Sequence, residues 1–309
     1  MAVFKSSSAS LNCSRSVFSD LSPKADGQAI CSSVSQKNYS SVRLLHASLN
    51  HSPHDKSIGP ALAAGCTVIL KPASETPLTA YAMARLGEEA GVPPGVVNVL
   101  TTTNPSGVTN AMLADPRVRK LSFTGSTGVG RTLLAEAAKS VVSCPMELGG
   151  NAPFLVFDDA DLEAALDGAM VAKMRNAGEA CTAANRFYVQ SGIHDAFVAG
   201  LTARMAAMKV GPGYDPDTQC GPMITTNAVR KIDRLVSEAV AAGARVTTGG
   251  KPLSGNGYFY PPTVIENVPT DAAIAGEEIF GPVAPVYRFE TELTRTIAPE
   301  WKGTRRSVR

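Results

Sequence analysis

From Gly59 to about Phe289, short apolar runs alternate with amphipathic stretches, each bounded by Gly or Pro. That alternation restricts the chain to an α/β architecture, because parallel strands must be joined by crossover connections long enough to hold a helix. Thr67–Leu70 reads as a strand, Pro77–Ala90 as a helix stopped by Gly91, Val96–Leu100 and Arg119–Phe123 as further strands. Later helices are expected over 161–174, with Asp161 as N-cap, over 194–208, and over 228–242 before Gly243. With 309 residues, 44% of them hydrophobic, the chain can bury one large core or two modest ones.

The ends differ from this body. Residues 1–57 hold sixteen serines, six Lys/Arg and three Asp, so a disordered or transit-like leader is expected, compatible with a cytoplasmic or mitochondrial protein. Residues 293–309 carry Arg295, Lys302, Arg305, Arg306 and Arg309 without an apolar face and read as a basic tail. The body between the ends is expected to divide into two segments, 58–145 and 146–292.

Composition excludes several classes of function. A net charge of +2 is too small for a nucleic-acid partner, and no apolar run approaches the roughly 18 residues of a membrane span. The six cysteines are scattered, with no CxxC pair for zinc, so neither a metal site nor a disulfide scaffold is expected. A small-molecule substrate fits best.

Two segments carry candidate chemistry. In Met146-Glu-Leu-Gly-Gly-Asn151 a carboxylate precedes two glycines, where the backbone can pass close to a ligand and an apolar setting would make Glu147 a better base. In Arg175-Asn-Ala-Gly-Glu-Ala-Cys181-Thr-Ala-Ala-Asn185 a cysteine follows a Gly turn, the semi-exposed setting in which a thiolate is reachable. Taken alone, an ordinary turn glutamate and an inert thiol are the plainer readings; the pairing is what points to chemistry. A Cys/His hydrolase is disfavoured, because His46, His51 and His54 lie in the Ser-rich head and His194, at a helix start, reads as a surface residue.

MELGGNAP followed by RNAGEACTAANR, with 181 − 147 = 34 residues between Glu147 and Cys181, resembles the paired active-site signatures of the aldehyde dehydrogenase superfamily, in wording closest to its succinate-semialdehyde dehydrogenase group. The similarity runs from about Gly59 to Glu292. It implies a Rossmann-type cofactor domain plus an α/β catalytic domain, both incomplete here. It also implies that the Cys181 thiolate adds to an aldehyde carbon, that hydride passes to NADP or NAD, and that Glu147 activates the water that hydrolyses the thioester.

The same resemblance nominates the binding residues. Phe123-Thr-Gly-Ser-Thr-Gly-Val-Gly130 is similar to the superfamily's phosphate-contacting turn, which assigns Gly125 and Ser126; Gly128 replaces a bulkier residue. Leu70-Lys-Pro-Ala-Ser-Glu-Thr-Pro77 is similar to its adenosine-ribose segment, which assigns Lys71 and Ser74. A serine at 74, in place of a carboxylate, lets a 2′-phosphate sit beside Lys71, so NADP is expected to be usable. Glu277-Glu-Ile-Phe-Gly-Pro-Val283 assigns Glu278 to the nicotinamide ribose and Phe280 to ring packing. Arg175 stands where the succinate-semialdehyde group binds the substrate's distal carboxylate, a task suited to a permanently charged, two-pronged guanidinium.

The chain also departs from that pattern. Before Gly59 a PWNFP-like segment, whose asparagine completes the oxyanion hole, is not recognisable, and one lost oxyanion donor costs on the order of a hundred- to a thousandfold in turnover. The late pairing strands through which family members form homo-oligomers are not recognisable either, so a truncated, inactive fragment is the alternative expectation. Ala183, where relatives often carry a second cysteine, makes a vicinal-thiol switch unexpected.

Overall fold

The structure, a computed structural model, describes residues 42–47 and 52–291. The expected tail at 293–309 and most of the expected leader lie outside the described residues. The chain divides after Leu148 into two compact units, so β5 (Met146–Leu148), and Glu147 with it, belongs to the first unit rather than to a segment beginning at 146.

The first unit holds one five-stranded sheet in the order β3-β2-β1-β4-β5, with every adjacent pair parallel. Its strands are β1 (Val42–Ala47), β2 (Thr67–Lys71), β3 (Val97–Val99), β4 (Val118–Gly125) and β5. They are joined by α1 (Ser52–Ala63), α2 (Pro77–Glu89), α3 (Pro105–Leu113) and α4 (Thr127–Ala138). Val68 and Leu70 of β2 pack with Ala61, Cys66 and Ala80, while Leu121 and Phe123 of β4 pack with Leu113 and Leu133. The strand order reverses between β1 and β4, the position at which open parallel sheets bind ligands beyond their carboxyl ends.

The expected leader boundary at 57 is corrected here. Residues 42–47 form the central strand and α1 begins at Ser52, both inside the segment expected to lack structure. The strand is missed because Arg43 and His46 interrupt its apolar run. Hydrogen bonding to β2 on one side and β4 on the other supplies what local propensity does not.

The second unit is a mixed sheet in the order β6-β7-β10-β9-β8, made of β6 (Ala152–Val156), β7 (Ala184–Gln190), β8 (Arg245–Thr248), β9 (Thr263–Glu266) and β10 (Val283–Phe289). All neighbours are parallel except β8, which runs antiparallel to β9 at one edge. Central β10 is buried on both faces, which is why Val283-Ala-Pro-Val-Tyr287 reads as an unbroken apolar run. Ala284 and Val286 join Phe187, Phe197 and Leu201 in one core, whereas Val283 and Tyr287 join Ile232, Leu235 and Ile265 in another. The covering helices are α5 (Leu162–Met174), α6 (Ser191–Ala206), α7 (Thr226–Ala241) and the single turn α8 (Ala273–Gly276). Asp161 caps α5 as expected, its Oδ1 accepting from the Ala164 N–H at 3.0 Å.

Candidate active site

In the first unit the candidate residues lie at the carboxyl ends of the strands. Lys71 closes β2 and is only 4% exposed, unusually buried for a lysine at a strand end. Its Nζ donates to the Pro72 carbonyl at 2.9 Å; burial lowers its pKa, and the Glu75 charge opposes that. Ser74 is exposed in the turn before α2. Gly125 ends β4, and Ser126 caps α4 with its Oγ accepting from the Val129 N–H at 3.4 Å.

A strand end turning directly into a helix N-terminus suits a pyrophosphate, since backbone donors and the helix dipole favour negative charge there. A Cβ added at Gly128 would meet nothing within 4 Å, so the missing bulk at that position is not demanded by packing. Gly130 is constrained instead, because an added Cβ would lie 2.5 Å from Leu148 Cδ2. The glycine thus lets α4 press on the end of β5, one residue beyond Glu147.

Glu147 itself is exposed, so its expected apolar enclosure is corrected. It is the middle residue of a three-residue edge strand, where alternation directs it away from the packed side.

In the second unit a clamped turn lies under the cysteine loop. A Cβ on Gly149 would fall 2.1 Å from Glu278 Oε2, and one on Gly150 would fall 3.1 Å from the Cys181 carbonyl, so the Gly-Gly pair lets the carboxylate and the cysteine backbone come close. The Gly150 N–H donates to Glu278 Oε1 at 3.2 Å, and the Gly150 carbonyl accepts from Asn185 Nδ2 at 3.2 Å. Arg186 donates Nε and Nη2 to the Asn151 carbonyl at 3.0 and 2.7 Å, and Asn151 Nδ2 donates to the Ala275 carbonyl at 2.7 Å.

Glu278 is half-buried, and desolvation pushes its carboxyl above the usual range against the pull of the Gly150 N–H, Lys231 and Lys173. Lys231 Nζ donates to the Glu278 carbonyl at 2.5 Å. Lys173 is 0% exposed and donates to Asn185 Oδ1 at 3.0 Å; burial drives its pKa down to about 7, opposed by Glu278.

Cys181 is exposed on the loop before β7. The approach to it is strained: Asn176, Ala177 and Gly178 have φ of 54°, 51° and 76° in succession. Non-glycine residues adopt that region only when their surroundings hold them there, and such strain gathers at functional sites. Phe280 also has positive φ, 55°, and the next residue, Gly281, places its carbonyl oxygen 2.2 Å from where a Gly178 Cβ would be. Arg175 caps the C-terminus of α5, is exposed, and makes no ion pair among the described residues.

His194 is corrected from surface to core. It is 1% exposed, and its Nδ1 lies 2.8 Å from Arg288 Nη2 and 3.0 Å from Asp195 Oδ1. The reach of Arg288 from β10 to the start of α6, not predictable locally, buries it.

The clamp residues Lys173, Asn185, Arg186 and Lys231 were not singled out from sequence. Only Lys173 carried a local signal, since Leu166, Ala169 and Lys173 share one buried helix face at 3.6-residue spacing.

Residues 54–296 match the model of the aldehyde dehydrogenase family. The chain is 54% identical over 237 residues to a succinate-semialdehyde dehydrogenase of Paenarthrobacter nicotinovorans, covering 77% of this chain and 53% of the relative. It is 48% identical over 237 residues to a succinate-semialdehyde dehydrogenase [NADP(+)] of Escherichia coli (strain K12), covering 77% and 49%. The crystal structure of succinate-semialdehyde dehydrogenase from Burkholderia pseudomallei superposes with a TM-score of 0.81 at 43% identity, over 84% of this chain and 54% of that one. The chain thus spans about half the length of the relatives it matches. With its paired motifs, its two α/β sheets and a family match covering most of its length, the chain belongs to the aldehyde dehydrogenase family.

Proposed function

We propose that this chain carries the nucleophile and base of an NAD(P)-dependent oxidation of an aldehyde to a carboxylic acid, with succinate semialdehyde as the best-fitting substrate. The observation that supports it most is the exposed Cys181 on a strained loop whose backbone rests against the Gly149–Gly150 turn. The Cys181 sulfur adds to the aldehyde carbon. The nicotinamide supplies the hydride acceptor that converts the adduct to a thioester. Glu147, open to solvent, takes a proton from the water that hydrolyses that thioester and releases the thiolate.

Lys71, Ser74, Gly125 and Ser126 are the candidates for the adenosine and phosphate half of the dinucleotide. Glu278 and Phe280 are the candidates for the nicotinamide half. A serine at 74 brings no negative charge to repel a 2′-phosphate, which supports NADP alongside NAD.

Arg175 is the candidate for the distal carboxylate. On this reading Arg175→Met raises KM for succinate semialdehyde by roughly 10- to 100-fold, the loss of a charge-assisted contact of about 1.5–3 kcal/mol. The KM for butanal, which has no second carboxylate, should stay where it was. Equal effects on both aldehydes would remove Arg175 from substrate recognition.

A second reading is cofactor binding or association with full-length relatives without turnover. Reduced-nicotinamide formation by the purified 309-residue protein with succinate semialdehyde and NADP separates the two. Sustained turnover supports the dehydrogenase; folded protein without turnover leaves the second reading.

A further inference from the structure

Lys173 is the one lysine among the described residues with no exposed surface, and nothing in the reaction proposed above uses it. Taking an ammonium out of water costs several kcal/mol, and the flanking core of Leu166, Ala169 and Met174 would be filled as well by an apolar side chain of the same length. What the lysine does hold is a chain of contacts. Its Nζ donates to Asn185 Oδ1, and the amide nitrogen of the same side chain donates to the Gly150 carbonyl. The N–H of Gly150 in turn donates to Glu278 Oε1.

An amide whose oxygen is pinned by an ammonium has only its nitrogen free to face the carbonyl, so Lys173 fixes the orientation of Asn185. Asn185 then fixes the peptide planes of the turn, and the turn presents an N–H to Glu278. The charged groups facing this chain are few. Glu278 attracts Lys173 from the loop before β10, and Lys231 attracts Glu278 from α7.

We infer that Lys173 is a positioning residue: through Asn185 it locks the Gly149–Gly150 turn, and through that turn it holds Glu278 in the one arrangement that receives the nicotinamide ribose. The last step rests on the reading of Glu278 given under the proposed function; the locking of the turn does not.

Lys173→Met in the full chain tests both parts, since methionine keeps the unbranched stem and removes the charge and the donor. Amide hydrogen exchange across residues 149–151, with no ligand present, should speed up by about tenfold or more while the β7 and β10 amides stay unchanged. NADPH affinity should fall by about tenfold, whereas affinity for 2′,5′-ADP, which has no nicotinamide half, should stay within about twofold.

Unchanged exchange at 149–151 would overturn the locking role. Equal loss of both ligands would overturn the link to the nicotinamide half and mark the lysine as structural. If the wild-type chain binds neither ligand but the exchange difference is present, the locking role stands and the cofactor assignment falls. Asn185→Leu, which cuts the same chain one link later, should reproduce both effects and replaces Lys173→Met if that variant fails to fold.

Discussion

On the proposed thioester mechanism, replacing Cys181 with alanine is expected to cut aldehyde-dependent formation of reduced nicotinamide by on the order of 10⁴-fold or more, because removing the proposed nucleophile removes the whole two-step path. The melting temperature should hardly move. Cys181 is exposed and fills no core, and surface substitutions of that kind usually fall within about 0.5 kcal/mol. The other described cysteines cannot take its place. Cys66 and Cys220 are buried, and burial pushes the thiol of Cys144 up and that of Cys220 to about 11. Among the described cysteines, a neutral-pH alkylating agent should therefore react at Cys181 first, which peptide mapping can read. Substantial turnover by Cys181→Ala would sink the thioester mechanism.

The second large effect is expected at Gly178. Its φ of 76° already disfavours any side chain, and an added Cβ would lie 2.2 Å from the Gly281 carbonyl oxygen and 3.2 Å from that of Lys173. Both neighbours are backbone, so no rotamer change relieves the clash. Gly178→Ala should cost about 3 kcal/mol or more and lower the melting temperature by roughly 6–12 °C. Gly128→Ala is the matched control. It lies inside a helix, in open space, and should be neutral or stabilising by up to about 1 kcal/mol. Gly178→Ala melting with the wild type would show that the Gly178–Gly281 approach is not required.

Sequence reading worked where local pattern and long-range packing agree. The helices beginning at Pro77 and Leu162 follow from Pro at the first turn and from Asp161 as a cap. The strands over Thr67–Lys71 and Val118–Gly125 follow from apolar runs ending in turn residues. The family motifs around Glu147 and Cys181 were legible as a pair because each is contiguous in the chain. The clamp was not, because its partners are distant in the chain: Glu278 meets Gly150 across 128 residues, and Asn151 meets Ala275 across 124. No periodicity encodes such pairings, and they are also what buries Glu278 and His194 while Glu147 stays exposed. The central strand at Val42–Ala47 was hidden for the same reason, since the neighbours that define it come later in the sequence.

That strand determines how the first sheet can come apart. β2 and β3 form one ladder and β4 and β5 another, and among the described strands only β1, six residues long, is hydrogen-bonded to both. Each flanking pair can assemble from nearby segments, but joining them requires Leu44 to find Leu121, a much longer loop to close. Without β1, what is left between the two described ladders is side-chain packing such as that of Ile69 against the Leu113 and Leu121 core.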